Sequence, residues 1–216
     1  MEIIEQGLHI LMHLNDHLKT WIAEYGVWIY GIMFLIVFVE TGLVVMPLLP
    51  GDSLLFAAGA LAASEGSLNI FILIPLLIVA ALLGDNLNYF VGHKLGELIK
   101  SKKKILFLKR EHIEKTEKYY EKYGGKTVII ARFIPIVRTV APFVAGAGSM
   151  KYKNYIINCV LGAILWVAGV TTLGYLCGNI EFIQKHFEIV IFGIIGISVL
   201  PVLIGVIKAK REGAAE

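Results

Sequence analysis

The segment that most constrains the architecture of this chain is ARFIPIVRTVAPFVAGAGSM, residues 131–150. It is apolar enough to lie in a bilayer, yet it contains Arg132, Arg138, Pro135 and Pro142. An arginine at the centre of a bilayer costs about 2.5–3.5 kcal/mol on insertion scales, and each proline removes a backbone donor and interrupts helical bonding. Irregular backbone at that depth is tolerated only where protein or a water-filled cavity surrounds it. The segment therefore predicts a broken, re-entrant element that lines a site for an anion.

The composition is that of an integral membrane protein. Hydrophobic residues occupy 57% of the 216 positions, charged residues occupy 17%, and the mean hydropathy is +0.74. The length suffices for one membrane domain without a separate soluble domain. Cys159 and Cys177 both lie in one apolar segment, which indicates neither a disulfide framework nor a metal site.

Hydropathy divides this single membrane domain into five parts. An amphipathic N-terminal helix is predicted over residues 1–26, and a basic loop or surface helix over residues 93–126. Each precedes a longer apolar part, residues 27–92 and 127–178, in which we expect a hairpin and then a spanning helix. A further spanning helix is predicted over residues 187–207.

The distribution of lysine and arginine predicts the topology. Residues 93–126 contain eleven basic residues and five glutamates, and the C-terminal tail is also basic, so both are expected in the cytoplasm. Basic residues flank residues 127–150 on both sides, so this segment should enter and leave from the cytoplasm. Residues 27–63 should likewise enter and leave from the outside. The basic segment lacks a nucleic-acid-binding motif or aromatic platforms, so nucleic acid is not an expected partner.

The first apolar part is predicted to fold as a hairpin, because 37 residues are too many for one spanning helix. A turn at Pro47 would place Glu40 and Asp52 at similar depth and make them a pair. A glutamate at membrane depth such as Glu40 is expected to have a functional role. Asp52 has an alternative explanation, because Gly51-Asp52-Ser53 is also a suitable cap for a helix beginning at Leu54.

Polar residues near the end of the spanning helix in residues 70–92 leave two interpretations open. Asp85, Asn86 and Asn88 either face the same interior as the other charges or mark the level of the lipid headgroups.

The two halves of the chain resemble each other weakly and with opposite predicted orientation. The run FAAGA at residues 56–60 matches FVAGA at residues 143–147. Inverted repeats whose broken helices meet near the midplane are a transporter architecture. The predicted fold class is an all-α integral membrane protein, an inverted repeat of amphipathic helix, re-entrant hairpin and transmembrane helix, plus one extra C-terminal transmembrane helix. The residues assigned to the hairpins are Pro47, Pro50, Gly51, Pro135, Pro142 and Gly146.

Several motifs in this sequence resemble those of the DedA family of bacterial inner-membrane proteins. They are Glu40-Thr41-Gly42, Pro50-Gly51-Asp52, Arg132-Phe133-x-Pro135-x-x-Arg138-x-x-x-Pro142-x-x-Ala145-Gly146 and Asn158-x-x-x-Gly162-Ala163-x-x-Trp166. The resemblance covers about residues 20–180. It implies a multi-pass inner-membrane protein that moves a lipid between leaflets, such as undecaprenyl phosphate or phosphatidylethanolamine, in dependence on the proton motive force.

Carried over by position, Glu40, Asp52, Arg132 and Arg138 match the charged residues on which proteins of that family depend. If the two hairpins meet, two carboxylates and two guanidiniums share one pocket of low dielectric. The arginines would bind an anionic headgroup through their planar forks, and proton uptake by Glu40 or Asp52 would release them. The alternative is a static set of buried salt bridges that only holds the hairpins together.

Other functions stay open at this stage. A phosphatidylethanolamine flippase or scramblase, a proton-coupled small-solute transporter and a membrane scaffold would each be compatible with the same charges. An enzyme is not expected, because the segments at membrane depth contain no histidine and no paired-aspartate metal motif. The expected partners are a membrane phospholipid or polyprenyl phosphate and protons, with a homodimer allowed, and neither a metal nor a cofactor is expected.

Overall fold

Two long apolar helices dominate the fold. The computed structural model describes residues 24–43, 51–64, 68–101, 104–105, 108–109, 120, 124–148, 150–180, 189–190, 193 and 196. Within these residues, the helices long and apolar enough to cross a membrane are Ile70–Leu95 and Tyr152–Gly178. At about 1.5 Å per residue, each exceeds the roughly 30 Å of a hydrocarbon core.

The helices and strands of the described residues confirm the all-α prediction, with one small exception. Two short strands, β1 (Lys104–Ile105) and β2 (Leu108–Lys109), pair antiparallel with Lys104 opposite Lys109, in a segment that was expected to be a loop or helix. These two strands form a small local hairpin, and they do not change the helical class of the fold. In chain order, the elements are α1 (Trp28–Gly42), α2 (Gly51–Ser64), α3 (Ile70–Ser101), β1 (Lys104–Ile105), β2 (Leu108–Lys109), α4 (Lys126–Ala131), α5 (Pro135–Ala147) and α6 (Tyr152–Gly178).

The largest difference from the predicted helix bounds is at the end of α3. The helix α3 continues to Ser101, well past the predicted end of the span at residue 92, because residues 94–100 consist mostly of good helix formers. The turn containing Pro47 and Pro50 lies outside the described residues. So do most of the predicted N-terminal helix and most of the predicted span over residues 187–207.

The described helices are apolar outside and charged inside. Phe71 is 86% exposed and Trp28 is 79% exposed, whereas Glu40, Asp85 and Arg132 are buried. Charged residues are almost never fully buried in soluble proteins unless they are paired. In membrane proteins, charged residues within the membrane face the interior of the helix bundle, as they do in this fold.

The segment at residues 131–150 forms two helices with a break between them. Arg132 is the C-terminal cap of α4, Ile134 is extended (φ −115°, ψ 108°), and Pro135 lies at the start of α5. Proline suits the first turn of a helix, where its missing N–H would have no partner. The break therefore places Arg132 and Arg138 on different helical segments.

The second proline of this segment has a different place from the one expected. Pro142 was expected to interrupt the helix, but it lies inside α5 and does not end it. Pro142 removes one donor from the backbone ladder of α5, and its neighbours Ala141 and Phe143 are both buried.

The chain divides by its contacts into two compact units. The first contains Met1–Met33, Pro50–Leu76 and Val167–Glu216, and the second contains Phe34–Leu49 and Leu77–Trp166. In the first unit, α2 packs tightly against α6. A Cβ at Gly59 would overlap the carbonyl oxygen of Thr171, and one at Gly174 would overlap that of Phe56.

The second unit contains the same kind of contact between α5 and α3. A Cβ at Gly146 would overlap the carbonyl oxygen of Tyr89, and one at Gly92 would overlap that of Phe143. The two contacts use the same positions of the FAAGA and FVAGA runs, the phenylalanine (Phe56 and Phe143) and the glycine (Gly59 and Gly146). The opposite orientation of the two halves in a membrane stays a prediction.

Candidate functional site

The C-terminal end of α1 lies directly against α3 in the second unit. The hydroxyl of Thr41 and the carbonyl of Phe38 occupy the space that a side chain at Gly84 would need. Thr41 donates its hydroxyl hydrogen to the carbonyl of Val37 at 2.9 Å, as is common for threonine within a helix. Because Gly84 allows this approach, the last turn of α1, which carries Glu40 and Thr41, lies against α3.

Glu40 forms the first of two buried ion pairs. Its side chain is 1% exposed, and its Oε1 lies 2.5 Å from Nη2 of Arg138. The guanidinium carbon of Arg138 also lies 5.0 Å from the centre of the Trp166 ring. A guanidinium over an indole face at this distance makes a favourable cation–π contact. Arg138 therefore contacts both a carboxylate and an aromatic face.

Arg132 and Asp85 form the second pair. Nη2 of Arg132 donates to Oδ2 of Asp85, and both side chains are buried. The thiol of Cys159 lies 3.4 Å from each of these two atoms and donates to the carboxylate. Gly162 leaves room for the arginine, because a Cβ there would lie 2.9 Å from Cδ of Arg132. Of the two interpretations left open for Asp85, the structure favours the interior one.

Tyrosines support the backbone around these pairs. The hydroxyl of Tyr155 donates to the carbonyl oxygen of Asp85 at 2.9 Å, and its ring stacks on Tyr89 with centroids 4.4 Å apart. Tyr120 donates to the carbonyl of Ala141 at 2.7 Å. Burial raises the pKa of Tyr120 above its ordinary value, so its hydroxyl remains a donor well into the alkaline range.

Asn88 links the two pairs. Its amide nitrogen donates to the carbonyl of Thr139 at 2.6 Å and reaches the carbonyl of Thr41 at 3.5 Å. Thr41 and Thr139 each follow a member of the Glu40–Arg138 pair in the chain. Asn88 also lies three residues after Asp85, on the same face of α3. One face of α3 therefore carries a member of the second pair and a residue that bonds the backbone beside the first pair.

Three of the four predicted charged residues belong to this cluster, namely Glu40, Arg132 and Arg138. The fourth, Asp52, lies in the first unit and is half-buried in the first turn of α2. The helix α2 begins at Gly51 and not at Leu54, so Asp52 lies within the helix, where a carboxylate suits the positive end of the dipole. The pairing of Asp52 with Glu40 stays a prediction.

The residues assigned to the hairpins have different places. Gly51 begins α2, Pro135 begins α5, Pro142 lies within α5 and Gly146 contacts α3. Pro47 and Pro50 lie outside the described residues.

Sequence reasoning left the places of Asp85 and Asn88 open and did not assign Cys159 or Trp166 to the site. The signal for Asp85 is the one that identified Glu40, an acid within an apolar helix, and Asn88 follows it at helical spacing. Cys159 and Trp166 resemble ordinary core residues in the sequence. Among the residues that the structure describes, no group of three or more His, Cys, Asp or Glu side chains could hold a metal ion.

Several known proteins are similar to this chain in sequence. A VTT domain matches residues 49–176. Protein DedA of Escherichia coli K12 is 48% identical over 215 residues, which cover 99% of this chain and 98% of that protein. An uncharacterized membrane protein of Mycobacterium leprae is 40% identical over 195 residues, covering 89% and 87%. Inner membrane protein YghB of Escherichia coli K12 is 34% identical over 158 residues, covering 73% and 72%. No solved structure matches this chain.

Proposed function

Because this chain belongs to the DedA family of membrane proteins that contain the VTT domain, we propose that it is a lipid translocase. Its substrate is a lipid with a phosphate headgroup, undecaprenyl phosphate first and phosphatidylethanolamine as the alternative, and its movement between leaflets is coupled to protons. The protein lies in the bacterial inner membrane as a multi-pass protein, with its C-terminus in the cytoplasm. The observation that carries the proposal is the burial of two arginines, each against its own carboxylate, beside a helix break.

The arginines provide the affinity for phosphate. Arg138 and Arg132 each contact one carboxylate oxygen through Nη2. A guanidinium presents five donors in a planar fork that suits phosphate as well as carboxylate. A phosphate can therefore take the place of Glu40 on Arg138, while the ring of Trp166 keeps the guanidinium in place.

The carboxylates provide the coupling to protons. Removing one partner from a buried ion pair costs about 3–5 kcal/mol, because the remaining charge is left without compensation. A phosphate that displaces Glu40 or Asp85 from its arginine therefore leaves a buried carboxylate, which protonation neutralises. Loss of that proton restores the ion pair and expels the phosphate. Asp52 keeps its predicted role as a further proton-coupling acid.

Transport in liposomes tests this proposal. Purified protein is reconstituted, and the movement of a labelled polyprenyl phosphate or phosphatidylethanolamine between leaflets is measured with and without a proton gradient. We expect Glu40→Gln, Arg132→Lys and Arg138→Ala to lose transport while remaining folded by size-exclusion chromatography. The control is Lys151→Gln, which removes an exposed positive charge outside the cluster and should transport normally.

Two results would contradict the proposal. Folded variants that move lipid at the wild-type rate would mean that the charges only hold the helices together. A wild-type protein that moves no lipid but binds a soluble anion through the same arginines would indicate a small-solute transporter.

A further inference from the structure

The carboxamide of Asn88 uses only half of its hydrogen-bonding capacity. Its nitrogen is oriented by the carbonyls of Thr139 and Thr41, and because carbonyls accept only from the NH₂ group, this fixes which end is oxygen. Asn88 is 0% exposed, and its Oδ1 has no hydrogen-bond partner among the described residues. A buried acceptor without a donor is unfavourable and rare.

Arg132 has the complementary unused atom. Its Nη2 donates to Asp85 and Cys159, but its Nε has no acceptor within the described part of the chain. Asp85 and Asn88 lie about one helical turn apart on the same face of α3. The cluster therefore contains an unused cationic donor and an unused neutral acceptor, both buried and held by neighbouring positions of one helix.

We infer that Asn88 and Arg132 form a headgroup subsite for a phosphate that carries its own hydrogen-bond donor. The inference rests on the proposed function and specifies its substrate class. An anionic phosphate oxygen accepts from Nε of Arg132, and the donor of the headgroup reaches Oδ1 of Asn88. The P–OH group of a monoester monoanion is such a donor, and so is the ammonium group of an ethanolamine headgroup.

Headgroups without a donor leave the oxygen of Asn88 unpaired. A methyl phosphodiester and a choline headgroup both have anionic phosphate oxygens but no N–H or O–H group. One hydrogen bond between a neutral acceptor and its donor is worth about a two- to tenfold change in affinity. Asn88 is therefore a specificity-determining residue and not a source of raw affinity.

Lipid binding to the full-length protein tests the inference. Native mass spectrometry in detergent compares two matched pairs with identical acyl chains, phosphatidic acid against phosphatidylmethanol and phosphatidylethanolamine against phosphatidylcholine. The measurement is made near pH 5, below the second phosphate pKa of about 6, so that both anionic lipids carry one charge. We expect the wild type to prefer the donor-bearing member of at least one pair by about two- to tenfold. The preferred pair then identifies the donor as P–OH or ammonium.

Two asparagine variants separate recognition from a merely structural role. Asn88→Leu has a similar size but no polar atom, so it should bind both members of each pair equally. Asn86→Leu is the matched control, because Asn86 lies on the same helix and bonds the hydroxyl of Tyr152 instead, and this variant should keep the wild-type preference. A structural defect would weaken both members of a pair alike and leave their ratio unchanged.

The inference is overturned if the wild type prefers neither donor-bearing lipid, which is the result expected if only a water molecule occupies Oδ1. It is also overturned if Asn88→Leu keeps the preference. The wild-type comparison decides the first point even if the variant does not fold. Transport that persists without headgroup preference would leave the proposed function intact, whereas absence of both binding and transport would remove both proposals.

Discussion

Replacing Asp85 with asparagine leaves Arg132 buried without its carboxylate. The two side chains are 4% and 6% exposed, so water cannot compensate for the lost charge. Loss of one partner from such a pair costs about 3–5 kcal/mol. We expect a loss near the lower limit, about 3 kcal/mol, because the asparagine oxygen and the sulfur of Cys159 still accept hydrogen bonds from Arg132.

Replacing both members of the pair separates the loss of the ion pair from the burial of a lone charge. Arg132→Gln alone should destabilise by a similar amount, because it leaves Asp85 charged and buried. The double variant Asp85→Asn with Arg132→Gln has no buried charge at this position, and should lie within about 1 kcal/mol of the wild type, since neutral replacements of buried pairs are often tolerated.

The apparent free energy of unfolding is measured by titration with sodium dodecyl sulfate in mixed micelles. Asp52→Asn is the control, because Asp52 is only half-buried in the first turn of α2 and should lose at most about 1 kcal/mol. Additive losses, with the double variant about 6 kcal/mol less stable, would refute the reasoning, because they would mean that Asp85 and Arg132 do not compensate each other.

Three further predictions use other contacts. Gly146→Ala should destabilise by about 1–3 kcal/mol in the same titration, because the new Cβ overlaps α3. At Gly169, no atom of another helix among the described residues lies within 4 Å of an added Cβ, so Gly169→Ala should be neutral or gain up to about 1 kcal/mol. Equal effects of the two substitutions would contradict the packing. Arg138→Lys keeps the positive charge but loses the planar guanidinium and most of its contact with Trp166. Lipid transport in liposomes should therefore fall about tenfold or more. Normal transport by this variant would show that a positive charge alone suffices. Tyr120→Phe should lower the free energy of unfolding by about 1 kcal/mol at neutral pH, because the hydrogen bond of the hydroxyl is lost. Burial raises the folded-state pKa of Tyr120, so the stabilisation by its hydroxyl is present below about pH 10 and is lost as the pH rises further. A difference in unfolding free energy between the two proteins that stays constant up to pH 12 would contradict this.

The sequence was sufficient to locate the unusual element of the fold. An unbroken spanning helix is incompatible with an apolar run that contains Arg132, Pro135 and Arg138. The helix is interrupted just before Pro135. Composition and spacing also identified α3 and α6 as the long apolar helices. These features depend on local chemistry and on the hydrophobic period, which a single sequence contains.

The partners of the arginines could not be predicted in the same way. Pairing Glu40 with Asp52 used depth in the membrane alone, but a contact also depends on which face of each helix is turned inward. The approach of Thr41 to Gly84 sets that face, and it brings α1 towards the side of α3 that carries Asp85. A glycine in an apolar helix does not by itself indicate which helix it will contact.

The most direct test of the proposed site is to map where a lipid headgroup binds. A phospholipid or polyprenyl phosphate with a photoreactive group next to its phosphate is crosslinked to the reconstituted protein, and the modified residues are identified by mass spectrometry. We predict adducts at residues 132–138, on α3 near Asp85 and Asn88, and on α6 near Trp166, with loss of these adducts in Arg138→Ala. Adducts confined to the exposed apolar surface, such as Phe71, or unchanged in Arg138→Ala, would contradict the claim that the buried arginines hold the headgroup.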